Sequence, residues 1–210
     1  MNLHNYFETP FWVEQKQEFI TSLNKASNKY IQEARKKNKD HIKKYGDFGM
    51  SYHSTPLVSD NDFLDFRQYV GQKSCEFLDQ MGYDMSLYIT MFSELWVQEF
   101  SKKGGGHHSA HIHNNQHVSG FYFLKCSEKT SRPIFHDPKT GARATKLTMK
   151  STTNATKAAT DLVHFKPTPG TLIIFPGYLE HEFAVDYGKE PFRFIHWNIQ
   201  AVPKGMAKDV

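Results

Sequence analysis

Gly170-Thr-Leu-Ile-Ile-Phe-Pro-Gly-Tyr-Leu-Glu-His181 contains a short apolar run opened by a glycine, closed by Pro176-Gly177, and followed by a histidine that enters the next apolar segment. A run this short, bounded by turn residues and rich in β-branched side chains, predicts a strand buried on both faces. Similar segments surround it: Leu87 to Met91, Leu95 to Phe100, Val118 to Leu124, Leu162 to Phe165, Glu182 to Val185 and Phe192 to Ile199. Gly, Pro and Asn/Asp turn signals separate them, which indicates an antiparallel sandwich or barrel. A doubly wound fold would need helical crossovers, and the intervening stretches are polar, short, or rich in Thr and Lys (139–157). The expected fold is therefore mainly β with flanking helices, a jelly roll.

The N-terminal half supplies the cover. Thr9-Pro10 reads as a helix start, with Phe19, Ile20, Leu23, Tyr30, Ile31 and Ala34 at helical spacing. A second helix begins near Ser59-Asp60, carries Phe63, Phe66, Val70, Phe77, Leu78 and Met81 on one stripe, and stops at Gly82. With no repeat, low-complexity tract or linker, residues 1–210 read as one domain, 1–86 mainly helical cover and 87–203 the jelly-roll core.

Composition narrows the function. The 39% hydrophobic content suffices for a core, and no apolar run approaches the roughly 18 residues of a spanning helix. The first residues lack the pattern of a secretory leader, and Cys75 and Cys126 are the only cysteines, so a reducing, cytoplasmic setting is expected and a four-cysteine zinc module is excluded. A net charge of +4 is too small to argue for nucleic acid, and the basic run Arg35 to Lys39 reads as a solvated helix end. The unusual count is 12 histidines, five of them between His107 and His117.

In an extended strand, His111 and His113 point to one face, and both imidazoles can reach one metal. The glycines 104–106 let the chain bend sharply before them. His181 is the natural third ligand, because a jelly roll brings such distant strands together. His107, His108 and His117 read as ordinary surface or core histidines, and Asp137, in an Asp-Pro turn, is a reserve carboxylate. Arg193 stands in an apolar strand, where a guanidinium needs an anion. It is either a paired structural arginine or the floor of an acid-binding pocket. Arg193, Ile195 and Trp197 share one face of that strand; Phe194, His196 and Asn198 share the other.

The order H-x-H, G-T-L-I-I-F-P-x-x-x-x-H, then a strand arginine resembles the 2-oxoglutarate- and Fe(II)-dependent oxygenases. It most resembles a group of short oxygenases known mainly from marine bacteria and their phages. The resemblance rests on His111-Ile-His113, Ser119-Gly-Phe-Tyr-Phe-Leu124, Asp137-Pro138, Pro169 to Pro176, His181 and Arg193 to Asn198, with weaker likeness at Tyr6 to Pro10 and Ser51 to Phe63. It implies the double-stranded β-helix, cupin-like form of the jelly roll, Fe(II) held by His111, His113 and His181, and 2-oxoglutarate whose distal carboxylate meets Arg193, with Tyr122 and Ser119 as hydroxyl donors. It further implies hydroxylation of a small-molecule or peptide substrate by dioxygen, with succinate released. His113 stands where the superfamily usually has a carboxylate, which leaves the site more positive unless another anion compensates. The rivals are a cupin-like three-histidine dioxygenase or isomerase that uses no keto acid, and a non-catalytic metal-stabilised binding module. Halogenation at a position vacated by His113 is a further variant.

Overall fold

The computed structural model describes residues 4, 6–145, 147–148 and 158–206. The strands form two antiparallel sheets. Six strands are ordered β1 (Trp12–Gln15), β8 (Thr171–Pro176), β5 (Val118–Lys125), β10 (Arg193–Pro203), β3 (Tyr88–Phe100) and β2 (Ser51–His53). The second sheet runs β4 (His108–His111), β9 (His181–Phe183), β6 (Pro133–His136), β7 (Leu162–His164). The helices are α1 (Ile20–Lys37), α2 (Lys39–Tyr45), α3 (Leu64–Gln80) and the short α4 (Thr140–Ala144). This is the jelly-roll architecture that the run of short strands predicts, in its double-stranded β-helix form.

Two apolar clusters divide the interior. One lies between α1, α3 and the outer face of the large sheet, with Leu23, Phe66, Val70, Leu95, Val97, Tyr122, Ile195 and Trp197. The other fills the space between the sheets with phenylalanines, among them Phe100, Phe121, Phe123, Phe175, Phe183 and Phe194. Directly paired residues in a ladder share a face, so the register sorts the side chains. Glu94, Asn198 and Ser119 form one inward row, Trp96, His196 and Phe121 the next, and Gln98, Phe194 and Phe123 a third. Ile195 with Val97 and Tyr122, and Trp197 with Leu95 and Gly120, face the helices. Gly120 has no alternative, since a β-carbon there would overlap the Trp197 indole.

Three expectations change. Residues 12–15, read as the first turn of a helix, pair with β8, and the helix begins at Ile20. Residues 87–91 and 95–100 belong to one long strand, β3, because it runs alongside β10 over nearly its whole length and is kept continuous across a register shift at Asn198 and Ile199. The strands at 51–53 and 133–136 carried no clear alternation. Of the polar segment 127–160, residues 146, 149–157 lie outside the described residues.

Candidate metal centre

His111 ends β4 and pairs with His181 at the start of β9, so the antiparallel register sets two imidazoles side by side. His113 lies beyond the strand, in the turn leading to β5, and reaches the same point because its backbone N–H is held by Gly177 O at 3.1 Å. The strand parity argued for His111 and His113 therefore applies only to the first; a tight turn against Pro176-Gly177 directs the second. One ligand atom from each of the three lies within 4.8 Å of the others. The ring centroids are 4.5 Å apart for His111 and His181, and 5.1 Å for His113 with either.

The hydrogen bonds prepare two of these rings as ligands. Nδ1 of His111 lies 2.7 Å from Ser109 O, and Nδ1 of His181 lies 2.8 Å from Leu179 O. A carbonyl only accepts, so both Nδ1 atoms carry the proton and each Nε2 keeps a free lone pair, as metal-bound histidines do. Nε2 of His181 is buried without a protein partner, and so is Nε2 of His113. Burial, with a smaller contribution from the neighbouring imidazoles, lowers His181 to about 3 and His113 to about 4, so both are neutral at neutral pH. An orphaned buried nitrogen is costly, and a divalent ion between the rings would satisfy two of them. The residues fit a three-histidine iron site.

His113 is tuned by a polar row. Nδ2 of Asn198 is 3.0 Å from His113 Nδ1 and 2.8 Å from Glu94 Oε2, while Ser119 Oγ donates to Asn198 Oδ1 at 2.5 Å. With the amide in this orientation, Nδ1 of His113 accepts and the ring proton sits on Nε2. Ligation through Nε2 requires the amide to turn so that its oxygen receives Nδ1–H. Ser119, expected at the co-substrate, thus acts on His113 through Asn198. Glu94 is linked to the trio through this row, and with His113 and His196 it forms a second group of converging donors. Sequence reading missed both Glu94 and Asn198, although Asn198 sits on the inward face with His196.

Arg193 is not at the cavity floor. Its Nε and Nη2 contact Glu99 Oε2 at 2.8 and 2.7 Å, and Nη1 donates to Ser27 Oγ at 2.9 Å and Asn28 Oδ1 at 2.8 Å. The face it shares with Ile195 and Trp197 is the helix-covered one, and the anion it meets is Glu99. Tyr122 lies on that same face, against Phe66, and its hydroxyl donates to Lys16 O at 2.5 Å. Neither can touch a molecule bound between the sheets. Asp137 is held by Lys139, 3.2 Å from its Nζ, and joins neither donor group. A cavity of about 690 Å³, lined in part by Phe11, Phe135, His136, Asp137 and Leu179, lies beside the trio, and none of the three histidines lines it.

Residues 94–193 match the family described as "Putative 2OG-Fe(II) oxygenase". No curated protein matches the sequence. Among solved structures, AviO1 from Streptomyces viridochromogenes Tue57 aligns over 91% of this chain and 90% of its own, with a TM-score of 0.58 and 9% identity. EctD from S. alaskensis, solved with 2-oxoglutarate and 5-hydroxyectoine, aligns over 91% and 72%, at 0.57 and 10%. A Pseudomonas putida prolyl-4-hydroxylase aligns over 90% and 92%, at 0.55 and 11%. At such identities the likeness speaks for the fold, and the family match, which spans His111, His113 and His181, speaks for the chemistry. Residues 94–193, just under half of the 210, are thus similar to the 2OG-Fe(II) oxygenases, a family whose cofactors are ferrous iron and 2-oxoglutarate, within a chain that has the fold of such enzymes.

Proposed function

We propose that His111, His113 and His181 hold Fe(II), and that the chain hydroxylates a small-molecule or peptide substrate with dioxygen and 2-oxoglutarate. The observation that carries this reading is the convergence of three imidazoles, two of them with Nδ1–H tied to carbonyls and the Nε2 lone pair freed. Bound iron supplies activation of dioxygen coupled to decarboxylation of the keto acid to succinate. The chain's own part is to fix the ligand tautomers of His111 and His181 and to keep the centre dry. Phe121, Phe135 and Phe175 stand 5.6, 5.9 and 4.9 Å from the His181 ring and exclude water from one side. Asn198 positions His113.

The test is anaerobic Fe(II) loading followed by addition of 2-oxoglutarate and dioxygen, with succinate and bound iron measured together. One iron per chain with succinate formation is expected, and both should be lost in His181→Ala. A three-histidine dioxygenase or isomerase without a keto acid is the second reading, because the Arg193 guanidinium is spent on Glu99. Iron binding with no succinate from any keto acid would favour it.

A further inference from the structure

The basic stretch that begins at Arg35 and the glycines 104–106 take no part in the metal centre, and the fold joins them at one end of the molecule. Gly49 N–H donates to Gly104 O at 2.7 Å, Ser101 N–H to Met50 O at 2.9 Å, and Gly105 N–H to Asp186 O at 2.7 Å. The loop after α2, the turn after β3 and the 186–189 loop therefore form one surface. Phe48 and Tyr187 stand against the glycines: a β-carbon at Gly105 would strike the Phe48 ring, and one at Gly104 the Tyr187 carbonyl. Both rings nevertheless face water, Phe48 75% and Tyr187 77% exposed, and Tyr45 at the end of α2 is 66% exposed. Rings left this far out of the core add little to stability. Lysines surround them. Lys39, Lys43, Lys44, Lys102, Lys103 and Lys189 are exposed, and none has a carboxylate partner among the described residues. Lys44 and Lys189 lie over the Tyr45 and Tyr187 rings, 4.9 and 5.9 Å from the centroids. Of the acids on these segments, Asp186 is turned inward onto the N–H groups of Ser131 and Gly188, Asp47 lies 3.9 Å from Arg35, and Glu190 pairs with Lys129. Only Asp40 is exposed and unpaired. Without the six lysines the chain's 26 basic residues would fall to 20 against 22 acidic, so the small net charge hides a strongly uneven distribution.

We propose that this surface binds single-stranded nucleic acid, with phosphates on the lysines and bases stacked on Phe48, Tyr187 and Tyr45. Every exposed cation here is a lysine, a point charge without the planar fork of arginine, so the contacts are to the backbone and carry no sequence preference. Exposed rings set among such charges suit unpaired bases, whose faces are free, whereas a duplex hides them and a plain acidic peptide meets only the charges. The surface lies beyond Phe100, about 20 Å along β3 from Glu94. It therefore stands apart from the iron reading and does not depend on it.

The experiment is fluorescence anisotropy of a labelled oligothymidylate of about 15 nucleotides, titrated with the full chain over a series of salt concentrations, metal-free and Fe(II)-loaded. Binding is expected in both forms, falling with salt at a log–log slope of about −3, which corresponds to roughly four phosphate contacts. The triple variant Lys43→Gln, Lys102→Gln, Lys103→Gln should bind about tenfold more weakly or worse at low salt, with the slope reduced to about −1. Phe48→Ser and Tyr187→Ser should each weaken binding about fivefold and leave the slope unchanged, as lost stacking does. All three proteins should take up iron as wild type does, and if Phe48→Ser does not fold, Tyr187→Ser decides. Absence of binding at low salt, wild-type affinity in the ring variants, or equal affinity for a duplex of the same length would overturn the proposal. Displacement of the oligonucleotide by oligoglutamate at equal charge would assign the surface to an acidic protein instead, and tighter binding to phosphatidylserine vesicles would assign it to a membrane.

Discussion

Arg193 and His196 lie three residues apart on one strand, and their side chains meet opposite worlds. Parity showed from sequence that they face opposite ways; it did not show which face the helices cover. That was decided by Glu99, which lies opposite Arg193 across the ladder, and by Ser27 and Asn28 of α1. Both members of the ion pair are 5% exposed, and Arg35 also reaches Glu99 at 3.0 Å. Removing the guanidinium leaves a buried carboxylate with one remaining partner. Arg193→Met should therefore lower unfolding stability by about 3 kcal/mol in urea titrations, and adding Glu99→Leu should return much of the loss. Iron stoichiometry should not change in either protein. Asn198→Ala, in contrast, should leave stability within about 1 kcal/mol and weaken iron binding about tenfold, because it removes the group that orients His113. Equal iron affinity in competition with a chelator would show that Asn198 has no such role. His111 and His181 were legible because the H-x-H spacing and the strand–turn–histidine pattern are local. Glu94 and Asn198 were not, since their meeting depends on a pairing between β3 and β10 separated by about a hundred residues of chain.

Two turns bring His113 to the other ligands. The backbone of residue 113 is tied to Gly177 O, and Gly177 N–H returns to His117 O at 3.1 Å. A β-carbon at Gly177 would overlap the carbonyl of Gln116. Gly177→Ala should push the 113–117 turn away and lower iron affinity more than it lowers global stability, which is checked by comparing metal binding with the urea midpoint. The Pro-Gly turn was visible in the sequence, but its service to a different loop was not. In the same way Thr9-Pro10 gave a sound helix-start signal, yet Trp12 to Gln15 were captured by the edge of β8, where tertiary pairing outweighs a local preference. Strands with alternating or continuous apolar patterns were found where they lie, apart from the break placed within β3; the short 51–53 and 133–136 strands owe their form to neighbours.

The molecule as a whole stores four inward histidines in neutral form. Burial, with the other imidazoles adding to it, lowers His181 to about 3 and His108 and His113 to about 4, and takes His196 well below its ordinary 6.5. Unfolded, the same groups take up protons near 6.5, so between 6.5 and 4 the unfolded chain binds more protons than the folded one. The stability they contribute is complete above pH 6.5 and is lost as pH falls toward 4. Metal-free protein should show a urea midpoint that declines steadily from pH 7 to 5, and a flat profile would contradict the neutral burial of these rings. Saturating divalent metal at pH 7 should raise the melting temperature, and His181→Ala should abolish that rise.

The placement of β10 also bears on how the chain is made. It is the last strand in sequence among the described residues, yet it lies in the middle of the large sheet, bonded to β5 on one side and β3 on the other. A nascent chain that has not yet emerged past residue 203 presents two open strand borders rich in apolar side chains, with a gap where the central plank belongs. Ribosomal synthesis therefore holds this sheet unfinished until almost the end of the described sequence, and chaperones that shield bare β-edges have their longest opportunity on this nascent chain.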